Sequence, residues 1–319
     1  MMHKPNKNCR IIFAGSSDFA VPALKSLLSQ SYKIVAVLTQ PDRRAGRGRI
    51  LKPNPVKDFA DKRGLSVFHP VNLDDKKLQK SLASLNADLM IVAAYGLMVS
   101  EGILALPRLG CVNLHASILP RWRGASPIQA AILNGDSYSG VSLMQMDAGL
   151  DTGPLLSKVK LSILPEETGG ELQNRLAKLA SQLLMENIQD LISSSLEPIP
   201  QLSEHATYAG KINKRDGLIN WSQSAIEIHH QILAYNPWPV AYTLFEGKIL
   251  RCWAATVIES DQTTNSLLPG EVLVQSSKGI LVATGEGVIS LIEVQLPGRK
   301  RLSALQFNNA HDLIGYRLG

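Results

Sequence analysis

Asn113 and His115 stand two residues apart in Asn113-Leu-His115-Ala-Ser-Ile-Leu-Pro120, and a carboxylate follows in Asp147-Ala-Gly-Leu-Asp151-Thr-Gly. An Asn amide can donate to an oxygen that becomes negative, a His ring can carry a proton, and an Asp can orient and charge that ring. Transfer of an acyl-type group to an amine needs all three tasks at once. Taken singly, each residue has a plainer use: a lone strand His is more often a satisfied core residue, and Asp151 can cap the Asp-Thr-Gly bend. The spacing, and the Gly and Pro residues around both segments, favour the chemical reading.

These residues must be positioned by the elements that carry them. Arg10–Gly15, Lys33–Gln40, Leu65–His69, Ala87–Ala94 and Gly110–His115 are apolar runs bounded by turn residues. They alternate with helical patterns such as Phe19–Gln30. The pattern predicts an α/β fold with a Rossmann-like, mostly parallel sheet covered on both faces. Ligands of such sheets bind at the carboxyl ends of strands, which is where Asn113 and His115 fall. Val141–Met146 and Leu155–Leu161 read as an antiparallel extension joined by Asp147–Gly153. Leu172, Leu176, Leu179, Leu183 and Leu184 recur at helical spacing and predict a long helix over Gly170–Ile192. The first strand-to-helix turn, Gly15-Ser-Ser-Asp-Phe, lacks the three-glycine dinucleotide spacing and so gives no support to a nucleotide-dependent oxidoreductase.

Ser193–Gln201 is polar and carries two prolines, the composition of a linker. Short strands follow over Ala241–Phe245, Lys248–Val257, Gly270–Val274, Gly279–Thr284 and Val288–Val294, separated by Gly and Pro. They predict a small C-terminal, OB-like β-barrel. The expected division is residues 1–191 for catalysis, 192–208 as linker and 209–319 as barrel. At 319 residues the chain exceeds what one core usually supports.

The net charge of +6 is unevenly spread. Between Asp42 and Lys57 lie Arg43, Arg44, Arg47, Arg49, Lys52 and Lys57 against one carboxylate, a net +5, and such a cluster suits phosphates or a solvated loop equally. Its Gly and Arg content offers little to bury, so it is expected to be disordered before a partner binds. Mean hydropathy is +0.02 and no run reaches the length of a membrane span. Cys9, Cys111 and Cys252 are odd in number and far apart, against a disulfide scaffold or zinc site, and point to a reducing cytoplasm. No metal is expected.

Several segments together make the chain resemble the methionyl-tRNA formyltransferase family nearly end to end. In the first part these are Ile11–Gly15, Thr39-Gln-Pro-Asp-Arg43 with Gly46-Arg-Gly48, Ala94-Tyr-Gly-Leu97, Pro107–Asn113, Leu119-Pro-Arg-Trp-Arg-Gly124 and Met144–Asp147. In the second they are Ile219-Asn-Trp-Ser222 and Asn236-Pro-Trp-Pro239. The Asn-x-His pair with its distal Asp is shared by folate-dependent formyltransferases generally, whereas the basic loop and Asn-Pro-Trp-Pro belong to the tRNA branch. Three departures stand out: Ile118 replaces the usual Leu, Ala116 the usual Gly, and Arg44 a common Pro.

The resemblance implies transfer of the formyl group of 10-formyltetrahydrofolate to the α-amine of methionyl initiator tRNA. Asn113 is then the oxyanion donor. His115 either stabilises the same oxygen or moves the amine proton, and Asp151 orients it. Folate is expected against Leu97, Ser117, Ile118, Leu119 and Pro120, and against Met146, Asp147 and Leu150. Initiator tRNA is expected on Arg43 above all, with Arg44, Arg47, Arg49 and Lys52, and on Lys211, Lys214, Arg215, Arg299, Lys300 and Arg301 of the barrel. A monomer is expected. The rivals are a folate formyltransferase acting on a sugar nucleotide or ribonucleotide amine, and a non-catalytic RNA-binding module that kept the fold.

Overall fold

Runs of Ile, Val and Leu become strands where both faces of a sheet are covered, and the computed structural model, which describes residues 7–45, 50–258 and 268–319, places them so. In chain order the first elements are β1 (Arg10–Gly15), α1 (Val21–Ser29), β2 (Lys33–Leu38), β3 (Arg43–Ala45), β4 (Ile50–Lys52), α2 (Pro55–Asp61), β5 (Val67–Phe68) and α3 (Lys76–Ser84). Next come β6 (Leu89–Ala93), α4 (Glu101–Leu104), β7 (Cys111–His115), β8 (Arg123–Gly124), α5 (Pro127–Leu133), β9 (Tyr138–Gln145), β10 (Leu155–Ser162), α6 (Gly169–Ser193) and β11 (Tyr208–Ala209). The last part holds α7 (Ala225–Ala234), β12 (Ala241–Phe245), β13 (Lys248–Ile258), β14 (Val272–Ser276), β15 (Gly279–Ala283), β16 (Val288–Gln295), β17 (Leu302–Ser303) and α8 (Ala304–Asn308).

Two compact units result. One takes the chain up to Pro127, Tyr138–Ser162 and Gln173–Gly210; the other takes Ile128–Ser137, Ile163–Leu172 and everything from Lys211. The first is built on a seven-stranded sheet of order β10-β9-β7-β6-β1-β2-β5. β5, β2, β1, β6 and β7 run parallel, and β9 and β10 extend the sheet antiparallel, as the apolar runs predict. The chain leaves β1 toward β2 on one side, while β6 and β7 build the other. The order therefore reverses between β1 and β6, which opens a crevice at their carboxyl ends. Ile12, Ala14, Leu38, Met90, Val92 and Tyr95 fill the core of one face. On α6, Leu172, Leu176, Leu183 and Leu184 are buried, and the Ser181 hydroxyl lies 2.7 Å from that of Ser26 on α1.

The basic loop is described on both sides of residues 46–49. β3 and β4 pair as an antiparallel ribbon, and α2 follows directly. What holds this region is polar anchoring rather than apolar burial alone. Asn54 caps α2 by accepting from Lys57 N at 3.0 Å, and its amide also binds Thr39 Oγ1 and the Gln40 carbonyl, each at 2.8 Å. Arg47 and Arg49, with the Gly46-Arg-Gly48 segment, lie outside the described residues.

The segment 192–208, read from sequence as a linker, is stitched to the first unit. Ile199 and Leu155 exchange backbone hydrogen bonds at 2.8 Å, and β11 pairs in parallel with β8. In the second unit an antiparallel sheet runs β12-β13-β16-β15-β14, with β17 on β16. Leu318 N donates to the Gly270 carbonyl at 2.8 Å, just before β14, and Gly319 N donates to Leu244 of β12 at 3.3 Å. The last residues thus bridge the two edges of the sheet, leaving fewer bare strand edges. Trp221 is buried in this core with its Nε1 donating to Thr243 Oγ1 at 2.9 Å. Among the described residues no helix is long and apolar enough to cross a membrane.

Candidate active site

Residues two apart on a strand project to the same face, so β7 presents Asn113 and His115 together. Asp151 reaches them from the loop between β9 and β10. One carboxylate oxygen accepts from Asn113 Nδ2 at 3.4 Å; the other lies 3.6 Å from His115 Nδ1 and accepts from Gly124 N at 2.8 Å. Asp151 is therefore the hub of a constellation drawn from three segments. It is not merely a cap on its own bend. The His115 ring is buried, and its Nε2 sits 2.9 Å from the Trp122 carbonyl. A carbonyl only accepts, so Nε2 carries the hydrogen. In the neutral ring Nδ1 then offers a lone pair beside Asp151.

The backbone around this point is unusual. Trp122, Asp151 and Ala94 all have positive φ, at 62°, 54° and 43°. Non-glycine residues there cost of order 1–3 kcal/mol each and persist only where surroundings impose them, a pattern concentrated at functional sites. Here the surroundings are identifiable. Trp122 N donates to Thr207 Oγ1 at 2.9 Å, Gln201 Nε2 binds the carbonyls of Asp151 and Gly153 at 2.9 and 2.7 Å, and Arg123 donates twice to Gln201 Oε1. Arg123, Gln201 and Thr207 were given no role from sequence. A charged residue flanked by Trp and Gly, as Arg123 is, was the one available signal, since nothing local marks Gln201 or Thr207. Gly124 has φ 114°, and a Cβ there would meet the Ala209 carbonyl at 2.5 Å. Gly124→Ala is expected to cost about 1–3 kcal/mol by straining β8 against β11, read as a lowered denaturation midpoint. Cys111, two residues before Asn113, is no nucleophile: burial pushes its thiol up to about 12.

The chain matches the formyl transferase family model over residues 8–188 and the formyl transferase C-terminal domain over 211–312. It is 46% identical over 310 residues to the methionyl-tRNA formyltransferase of Hydrogenovibrio crunogenus, covering 97% of this chain and 98% of that one. It is 46% identical over 302 residues to that of Coxiella burnetii, covering 95% of each. This chain belongs to the methionyl-tRNA formyltransferase family. Among solved structures, HypX from Aquifex aeolicus in complex with tetrahydrofolic acid shares the fold at TM-score 0.64 and 15% identity over 93% of this chain. This chain spans 46% of that longer one. The N-formyltransferase from Helicobacter canadensis in complex with folinic acid and dTDP-3-aminofucose gives TM-score 0.66 at 20% identity, covering 89% of this chain and 98% of that one.

The other expected residues of this formyltransferase fall into distinct places. Leu97 and Met146 are each partly buried and pack against the same core cluster. Ile118 and Pro120 are partly exposed. Leu119 is fully buried with Met144 and Leu155, and the Ser117 hydroxyl donates to the Arg121 carbonyl at 2.6 Å, so both side chains shape the loop from within. Asp147 accepts from Gly149 N and Thr152 Oγ1 at 3.0 and 2.7 Å, folding its own loop, while Leu150 is exposed. Ala116 has no positive φ, so nothing there required the usual glycine.

On the basic ribbon, Arg43 stands opposite Lys52 and Arg44 opposite Leu51. In the second unit Lys211, Lys214 and Arg215 are exposed, the latter two on a 3-10 turn. Arg299 and Lys300 line a cavity of about 620 Å³ with Lys248 and His311. Arg301 lies 3.2 Å over the Trp253 ring and 3.7 Å from Glu293, which occupies much of its charge locally. Among the described residues no group of three or more His, Cys, Asp or Glu is arranged to hold a metal ion.

Proposed function

We propose that this methionyl-tRNA formyltransferase takes its formyl group from 10-formyltetrahydrofolate, places it on the α-amine of methionyl initiator tRNA, and does so with Asn113, His115 and Asp151. The reading is carried by the convergence of an amide donor, a tautomer-fixed imidazole and a carboxylate at the carboxyl end of β7. The amine nitrogen bonds to the formyl carbon, whose oxygen becomes negative while the nitrogen becomes positive. Asn113 Nδ2 has two hydrogens, one directed at Asp151 and the other free to hold that oxygen. His115 Nδ1 accepts the ammonium proton, because Nε2 is committed to Trp122, and Asp151 lies beside the imidazolium that forms. The proton passes to N10 of the folate as the carbon–N10 bond breaks, giving formyl-amide and tetrahydrofolate.

The half-buried Leu97 and Met146 suit the flat face of a pterin, and Ile118 and Pro120, partly exposed on the 117–120 loop, suit its rim. Arg43 opposite Lys52 supports an RNA role for the ribbon, since like charges directly across a strand pair are unfavourable until an anion lies between them. Residues 1–191 would carry catalysis and 209–319 the remaining RNA contacts, in a cytoplasmic monomer. Light scattering that gave more than one chain's mass would correct the last point.

The test is formation of formylmethionyl-tRNA from the purified protein, 10-formyltetrahydrofolate and methionyl initiator tRNA, with dTDP-amino sugar as rival acceptor. Formylation of the sugar alone would overturn the acceptor. Arg43→Ala is expected to lower kcat/KM on initiator tRNA by about tenfold or more and to narrow its advantage over elongator tRNA, as loss of a charge-assisted contact worth about 1–3 kcal/mol would. Equal rates for both enzymes on both tRNAs would remove Arg43 from the site.

A further inference from the structure

Gln40 follows β2 at the carboxyl end of the sheet and lies between the basic ribbon and the end of β6. All four of its polar groups are engaged. Its backbone N–H donates to Ser16 Oγ at 3.0 Å, and its carbonyl accepts from Asn54 Nδ2 at 2.8 Å. Its side-chain Nε2 donates to the Tyr95 carbonyl at 2.9 Å, and its Oε1 accepts from Arg43 Nη2. Ser16 Oγ donates to the same Tyr95 carbonyl at 3.0 Å, so the anchor is doubled. Room for the amide exists because Gly96 has no side chain: a Cβ there would come within 2.4 Å of Gln40 Nε2, and Gly96 has φ 78°. The Oε1 is thus fixed from behind by the backbone that leads into Leu97.

We infer that Gln40 is a positioning residue: it uses the carboxyl end of β6 as a fixed base from which to aim Arg43 at RNA phosphate. This rests on the proposal that Arg43 contacts RNA. Three rotatable bonds separate Gln40's amide from its backbone, and more separate the Arg43 guanidinium from its own. Left unheld, such a side chain spreads over many rotamers and loses entropy on binding. Holding one Nη2 leaves the rest of the guanidinium fork to face a phosphate and pre-orders it at no further cost in binding.

The decisive experiment measures initiator tRNA affinity over a series of salt concentrations for wild type, Arg43→Ala, Gln40→Ala and the double variant. Loss of one phosphate contact lowers the slope of log K against log salt by about one. Arg43→Ala is expected to show that loss, Gln40→Ala to weaken binding severalfold at every salt concentration while keeping the slope, because Arg43 still reaches the phosphate after losing its rotamer freedom, and the double variant to bind no more weakly than Arg43→Ala alone. A merely structural role for Gln40 would lower melting temperature without weakening tRNA binding by the folded protein. An unchanged affinity in Gln40→Ala, or affinity losses that add in the double variant, would overturn the inference. An unchanged slope in Arg43→Ala would instead overturn the RNA role of Arg43 itself, before any Gln40 variant is considered. Gln40→Met keeps the length and volume of the side chain while removing both polar groups. It is expected to repeat the Gln40→Ala loss of affinity, and serves if the alanine variant fails to fold.

Discussion

Asn113→Ala is expected to reduce kcat by about 10²–10³-fold, the effect of removing one oxyanion donor worth roughly 3–4 kcal/mol of barrier, while leaving folate affinity close to wild type. The asymmetry follows from where charge appears. In the proposed reaction the formyl oxygen is neutral in the bound donor and negative only after the amine has attacked, so the contribution expected of the amide grows along the reaction coordinate. Asn113 is half-buried rather than core, and its neighbours on the flanking strands are Val92 and Met144. Truncation therefore leaves a small gap rather than a collapsed core, and a modest shift in melting temperature is expected. Single-turnover formylation at saturating folate and tRNA reads the chemical step directly. A decrease of less than fivefold would mean that another donor holds the oxygen. A parallel loss of folate affinity would mean that Asn113 binds the ground state.

The parts of this arrangement legible in the sequence are those written in local pattern. Five apolar runs gave five parallel strands, because a strand buried on both faces must be apolar throughout. The i, i+2 spacing placed Asn113 and His115 on one face, as strand geometry requires. What local pattern does not encode is which distant polar group meets which. Gln201 holds the Asp151 loop from 50 residues away, and Thr207 holds Trp122 from 85 away, yet both lie in a segment whose composition reads as linker. The basic ribbon illustrates the same limit. Its apolar content is too small to announce a strand pair, and what anchors its described part is Asn54 and Gln40, two neutral amides with no periodic signature.

The residues expected at folate from sequence show a further distinction, between where a segment lies and where its side chains go. The sequence marks 117–120 as a unit, but Leu119 turns entirely into the core and Ser117 spends its hydroxyl on Arg121. Their side chains set the path of the loop, and of these four residues only Ile118 and Pro120 are partly exposed. Strain enters at the same place. Trp122 and Asp151 adopt left-handed backbone so that a carbonyl reaches His115 Nε2 and a carboxylate reaches Asn113 and Gly124. The surrounding amides of Gln201 and the hydroxyl of Thr207 hold that strain in place.

Asp151→Asn separates the electrical role of this residue from its structural one. Asn tolerates left-handed backbone better than other non-glycine residues, so φ 54° is kept. Its Oδ1 can still accept from Gly124 N, so the 2.8 Å bond that fixes the loop survives. Two things change. The negative charge 3.6 Å from His115 Nδ1 disappears, and with it the partner of the imidazolium that the proposed proton transfer would form. The new Nδ2 also faces Asn113 Nδ2 donor to donor, which favours a flipped Asn113 amide with its oxygen turned toward Asp151's position and its donor turned away from the bond now seen. Both changes act on the transition state, and kcat is expected to fall by about 10²–10⁴-fold, the range spanned by lost proton-transfer catalysis. Thermal stability should stay near wild type. Asp151→Ala, by contrast, also leaves Gly124 N without its acceptor and puts Ala in left-handed backbone, so about 1–3 kcal/mol of stability should go with the activity. An Asp151→Asn enzyme that melts like wild type and turns over within fivefold of it would reduce the carboxylate to a loop anchor. Equal loss of stability in the two variants would show that Gly124 does not depend on it.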